Sequence, residues 1–273
     1  MSSIIEQLQE TVGFIQNIYQ EKPAVGIVLG SGLGNFAAEI EVAAEIPYNR
    51  IPHFPVSTVE GHPGKLIFGQ LKNKSVVAMV GRFHYYEGYS SQEVIYPIRV
   101  MKMLGISTLL VSNAAGGVNP GFKVGDLMII RDHLSFAILN PLIGKNETAL
   151  GPRFPDMSEP YKKDLIEKVK KIAALLNIPL KEGVYFGVTG PTFETRAEYK
   201  MIQLLGGDAV GMSTVQEVIT AVHMGLPVFA MSIITDIGIR EEENIITHKE
   251  VLEAARNAEP KLTSIFMQLI AEL

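Results

Sequence analysis

The 273-residue sequence contains no cysteine and no tryptophan. Without cysteine there is no disulfide scaffold, no thiolate zinc or iron–sulfur ligation and no cysteine nucleophile. Positive charge is short as well: 24 Lys and Arg face 29 Asp and Glu, a net charge of −5. A nucleic-acid polymer needs a basic face to neutralise its phosphates, so that partner is disfavoured, while a small local anion site stays open. Residues 103–122 and 218–235 carry no Asp, Glu, Lys or Arg, yet neither fits a membrane span of about 20 apolar residues. Asn113, Gly116, Gly117, Asn119 and Pro120 break the first, and His223, Gly225 and Pro227 break the second. The first ten residues lack a basic start and include Glu6, which does not match a secretory leader. The expectation is a cytoplasmic protein with no membrane partner. An apolar content of 47% against 19% charged residues describes a folded core, expected as a single domain over 1–273.

The apolar pattern alternates between two periods. Ser3 with Glu6 makes a capping box ahead of Ile4, Leu8, Val12, Ile15 and Tyr19 at helical spacing. Short apolar runs at 25–29, 65–71, 75–80, 108–111, 127–130, 185–188, 209–212 and 228–234 read as strands, several of them ending in glycine loops. Between them, 93–104, 162–176, 195–205, 215–224 and 248–270 read as helices, the last bent or broken at Pro260. This predicts an α/β fold with a mixed, largely parallel central sheet flanked by helices. One connection, 140–160, holds four prolines and two glycines and is long for a plain connection. A loop of that kind is usually functional or disordered.

Several segments could carry chemistry. Gly30-Ser31-Gly32-Leu33-Gly34 lacks the third glycine position of a dinucleotide fingerprint, and no nucleotide-triphosphate loop occurs. What remains is either a tight strand-to-helix turn or a backbone cradle, with the Ser31 hydroxyl, for one phosphate. In Gly81-Arg82-Phe83-His84-Tyr85-Tyr86-Glu87-Gly88, continued strand geometry would turn Arg82, His84 and Tyr86 to one face. Guanidinium and imidazole suit an oxyanion, whereas the plain alternative is an exposed strand end paired with Glu87. Gly190-Pro191-Thr192-Phe193-Glu194-Thr195 offers an aromatic face and a carboxylate to a flat heterocycle, or simply a capping box between Thr195 and Glu198. Ser213, Asp236 and His248 stand in the chain order of a hydrolase triad, but Gly211-Met212-Ser213-Thr214-Val215 lacks the second glycine of the nucleophile elbow. The six histidines, at 53, 62, 84, 133, 223 and 248, form no zinc spacing, so no metal is expected.

Taken together, these glycine-rich segments, Ser112-Asn113-Ala114-Ala115-Gly116-Gly117 and Arg153-Phe154-Pro155 resemble the trimeric, low-molecular-mass purine nucleoside phosphorylases in order and spacing. The resemblance implies reversible phosphorolysis of purine nucleosides to the free base and ribose 1-phosphate, within purine salvage. Inorganic phosphate would be the co-substrate, with no cofactor. It implies that Ser31, His62, Arg82, His84, Ala114 and Ser213 hold phosphate, and that Tyr86, Met212 and His248 meet the ribose. Phe193 and Glu194 would hold the base, with Asp236 where relatives that prefer inosine and guanosine usually have Asn. His84, Glu194, Asp236 and His248 are the expected catalytic set, and Phe154 would reach into a neighbouring subunit of a homotrimer. A phosphate-independent nucleosidase is the nearest alternative, and a serine hydrolase using Ser213, Asp236 and His248 a more distant one.

Overall fold

Nine strands and six helices alternate along the chain in a computed structural model that describes residues 3–56, 58, 64–238 and 246–273. The strands are β1 (Val25–Leu29), β2 (Glu41–Pro47), β3 (Lys65–Leu71), β4 (Lys74–Val80), β5 (Thr108–Gly117), β6 (Leu127–Leu134), β7 (Leu180–Gly187), β8 (Ala209–Gly211) and β9 (Val228–Ile237). The helices are α1 (Ile4–Ile18), α2 (Ser91–Leu104), α3 (Lys163–Leu175), α4 (Arg196–Leu204), α5 (Val215–His223) and α6 (His248–Ala271). The sheet order is β2-β3-β4-β1-β5-β8-β7-β6-β9, and β5 also pairs with β9, so its second half closes on itself. Five of the nine pairings are parallel and four antiparallel, a mixed sheet in which parallel pairs hold a narrow majority.

The burial explains the sequence pattern. β1 is buried at every position and β9 at all but its last, which is why both read as unbroken apolar runs instead of alternating ones. Capping boxes start four helices, Ser3 with Glu6, Ser90 with Glu93, Thr195 with Glu198 and Thr247 with Glu250; each satisfies backbone N–H groups that the first turn leaves open.

Two expectations about the elements need correction, and one strand went unread. The helix over 248–270 is not broken at Pro260; it runs as one element to Ala271. Leu262, Ile265, Phe266, Leu269 and Ile270 beyond the proline are all fully buried, and that packing outweighs the one hydrogen bond a proline removes. Asn113 to Gly117 do not form a loop but extend β5, paired with β9 along most of that length. At Gly116 a Cβ would stand 3.0 Å from Asp236 Oδ2, so this glycine lets two strands approach closely instead of making a turn. Finally, β2 carries too little apolar patterning to be read: it is an edge strand exposed at most positions, with Glu41 and Glu45 on it, a composition that discourages further strand pairing.

Candidate active site

A cavity of 340 Å³ opens where β1, β4, β5, β8 and β9 end and the loops following them converge. Ser31, Arg82, His84, Tyr86, Ala114, Phe193, Glu194, Met212, Ser213, Asp236 and His248 all line it. Of the other residues singled out from the sequence, His62 lies outside the described residues. Phe154 does not line this cavity; its side chain is 87% exposed, with the Arg153 guanidinium 5.6 Å from its ring centre.

One end of the cavity is a network of buried ion pairs. Arg82 does not reach the site through continued strand geometry, because β4 stops at Val80 and Tyr85–Glu87 form a short 3-10 turn. Nor does it pair with Glu87. Its guanidinium, 1% exposed, donates from Nε and Nη2 to Glu217 of α5 at 3.1 and 2.7 Å, and from Nη1 to the Ser112 carbonyl at 2.8 Å. Such a fork on a carboxylate is the strong, directional form of an arginine pair. Close packing keeps it there: a Cβ on Gly30 would come 2.8 Å from both the Ser112 carbonyl and Asn113 Cα, so the chain at the end of β1 can lie directly on β5 only as glycine.

His84 is fixed in a parallel way. Glu87 lies 2.9 Å from His84 Nδ1 and accepts from its backbone N–H at 2.8 Å. Burial pushes the His84 imidazole below its ordinary pKa, while the hydrogen bond to Glu87 pushes the other way. Burial raises the Glu87 carboxyl, but hydrogen bonds from His84 and Thr58 outweigh it and hold the group at about 2. Tyr86 stacks on the His84 ring at 4.7 Å.

Ser213 precedes α5, and Thr214 takes φ of 70°, a strained value for a β-branched residue. Asn113 Nδ2 donates to Thr214 Oγ1 at 2.8 Å and pins that corner. The Ser213 hydroxyl meets the hydroxyls of Thr214 and Tyr185 at 3.2 and 3.5 Å. Among the described residues no imidazole bonds to it, so the base that the hydrolase reading needs from His248 is not on the nucleophile here.

The opposite end brings two acids, Glu194 and Asp236, to the cavity wall. Glu194 follows β7 and Asp236 ends β9; Tyr199 of α4 puts its buried hydroxyl against both carboxylates. Burial comes first among the causes that raise the Glu194 pKa, and the Asp236 charge adds to it. Burial and the two carboxylates raise Tyr199 far above the ordinary phenol range. Thr235 Oγ1 donates to Asp236 Oδ1 at 3.1 Å. Sequence reading missed Tyr199, Glu217, Asn113 and the role of Glu87. Tyr199 and Ile202 are the buried positions of α4 and resemble ordinary core spacing, and Glu217 was an acid inside an apolar helix with no local partner.

No group of three or more metal-ligating side chains occurs among the described residues. The profile of the Phosphorylase superfamily matches residues 24–271. The chain is 49% identical to purine nucleoside phosphorylase 1 of Bacillus subtilis, over 98% of each chain. The chain belongs to the purine nucleoside phosphorylases. Identity to the rat enzyme is 46%, over 97% of this chain and 95% of that one. A solved Schistosoma mansoni purine nucleoside phosphorylase in complex with adenosine superposes with a TM-score of 0.94 at 42% identity, covering 98% of both chains. The α/β fold expected of the family is the fold observed.

Proposed function

We propose that the cavity binds phosphate at its Arg82 end, the purine at its Glu194 end and the sugar between them. The chain is an enzyme that transfers the ribosyl or deoxyribosyl group of purine nucleosides reversibly to inorganic phosphate, releasing the free base and the sugar 1-phosphate. The assignment of the two ends rests on one observation, the contrast between a buried guanidinium beside an imidazole and a pair of carboxylates beside an aromatic ring.

The reaction breaks the bond between C1′ and the purine N9 and forms one from a phosphate oxygen to C1′. Positive charge develops on the sugar and negative charge on the departing base, and the site must bind that distribution better than the ground state. Phosphate held by Arg82, His84, Ser31, Ser213 and the Ala114 N–H is both nucleophile and counter-charge, so no side chain has to attack. His62 belongs to the same expectation. Tyr86, Met212 and His248 contact the ribose. Phe193 stacks on the base while Glu194 accepts from its N1–H. Asp236 faces N7, where ionised carboxylate only accepts and a protonated one donates; this favours 6-amino purines relative to enzymes with Asn there. Phe154, exposed and away from its own cavity, completes the site of a neighbouring subunit in a homotrimer. No cofactor enters this scheme. The enzyme acts in the cytoplasm, in purine salvage; no helix among the described residues is long and apolar enough to cross a membrane.

The deciding experiment is inosine, guanosine and adenosine turnover with and without phosphate. Cleavage that depends on phosphate is expected. Unchanged cleavage in its absence would sink the phosphorolytic reading in favour of a nucleosidase, and adenosine inert in both the parent and Asp236→Asn would remove the proposed role of Asp236.

A further inference from the structure

The Arg82 guanidinium presents its Nε and Nη2 edge, the best edge for gripping an oxyanion, to the protein's own Glu217. Both partners are buried, at 1% and 3% exposure. With Nη1 on the Ser112 carbonyl, three bonds to two separate elements fix the plane of the guanidinium and the direction of its N–H groups. The carboxylate also cancels the charge. Glu217 lies in the first turn of α5, where the helix dipole favours an acid.

We propose that Glu217 is a positioning residue that sets how much positive charge the phosphate meets: Arg82 offers directed N–H donors from a neutral pair, not a bare cation. Phosphorolysis has a use for this. A phosphate whose charge is spent on an uncompensated guanidinium binds tightly but loses strength as nucleophile and as counter-charge to the sugar cation. A compensated one binds less tightly and keeps its charge for the transition state, the better use of binding energy.

This rests on Arg82 contacting phosphate, and the test separates the two claims. Phosphate KM and kcat for inosine are measured in the parent, Arg82→Ala, Glu217→Gln and Glu217→Asp, with unfolding temperatures alongside. Glu217→Gln keeps the shape and removes the charge; phosphate KM is expected to fall roughly tenfold, from the interaction of one charge several ångströms away in a partly shielded site, while kcat falls too. Glu217→Asp restores the charge on a shorter arm, and its phosphate KM is not expected to fall. A purely structural role would raise KM or leave it unchanged in both. An unchanged or raised KM in Glu217→Gln, or a lowered one in Glu217→Asp, overturns the proposal, and the Asp variant keeps it open to refutation if the Gln variant does not fold. If instead Arg82→Ala leaves phosphate KM untouched, the phosphate assignment itself has failed.

Discussion

The two ends of the cavity differ in how their charges are settled. At the Arg82 end each charged group has a partner from within the fold: Arg82 holds Glu217, and Glu87 lies on His84. At the Glu194 end, Glu194 and Asp236 face a shared phenol, and the Asp236 charge adds to burial in raising the Glu194 pKa. The first end is organised before any ligand arrives. The second places two acids side by side, and in the proposed function a hydrogen-bond donor on the base would ease their repulsion. In the proposed reading, paired groups fixed by the fold hold the small anion, while a carboxyl with a raised proton affinity meets the larger partner.

The sharpest break in this comparison is Arg82→Ala. It leaves Glu217 buried without its partner, a loss of about 3–5 kcal/mol for a broken buried pair, and raises phosphate KM steeply. Denaturant unfolding with a phosphate titration checks both; normal stability would mean that the Arg82 end is not a prepared network.

A smaller effect is expected at the other end. Glu194→Gln replaces a charged acceptor by a neutral one, and kcat/KM for inosine should fall by about ten- to a hundredfold, the range for hydrogen bonds to charged groups, with stability held or improved because a like charge is gone. A clear loss of stability would contradict the conflict described. The same conflict predicts a pH effect with a definite sign. Glu194 must be ionised to accept N1–H, and its pKa is raised, so kcat/KM for inosine falls as pH drops through that raised value. Asp236→Asn removes the neighbouring negative charge and should move this limb to lower pH. Profiles recorded at saturating phosphate test it, and a limb that stays in place would show that the two carboxylates do not interact.

The smallest effect belongs to Thr58→Ala. It removes the hydroxyl bond to Glu87 and should cost within about 1 kcal/mol. Because Glu87 is held at about 2 in the folded protein, its contribution is full above the ordinary carboxylate range and fades as pH falls towards 2. The difference in melting temperature between parent and variant should shrink in that direction; one that grows in acid would reverse the assigned sign.

Much of this site could be read before folding. The motifs around Ser31, Arg82, Ala114, Glu194 and Ser213 are short stretches whose residue types and glycines state local geometry, and all five residues line the cavity. Reading failed where a residue's meaning lies in a distant neighbour. Arg82, His84 and Tyr86 do line one cavity, but not through continued strand geometry, since β4 ends two residues before Arg82. Gly116 and Gly117 looked like a loop because glycine in a turn and glycine under a neighbouring strand have the same letter. Tyr199 looked like core because its ring is buried, although its hydroxyl faces two acids.

By itself, the sequence determined the alternation of strand and helix, the helix caps and which segments could bear a phosphate or a purine. All of these follow from contacts within a few residues, where backbone preference and side-chain period act directly. Only the tertiary structure decided which charges cancel. Arg82 and Glu217 are 135 positions apart, and their pairing depends on β4, β5 and α5 meeting at one end of a sheet. Electrostatic energy depends on distance and burial in space, and neither quantity is written in the spacing of residues along the chain.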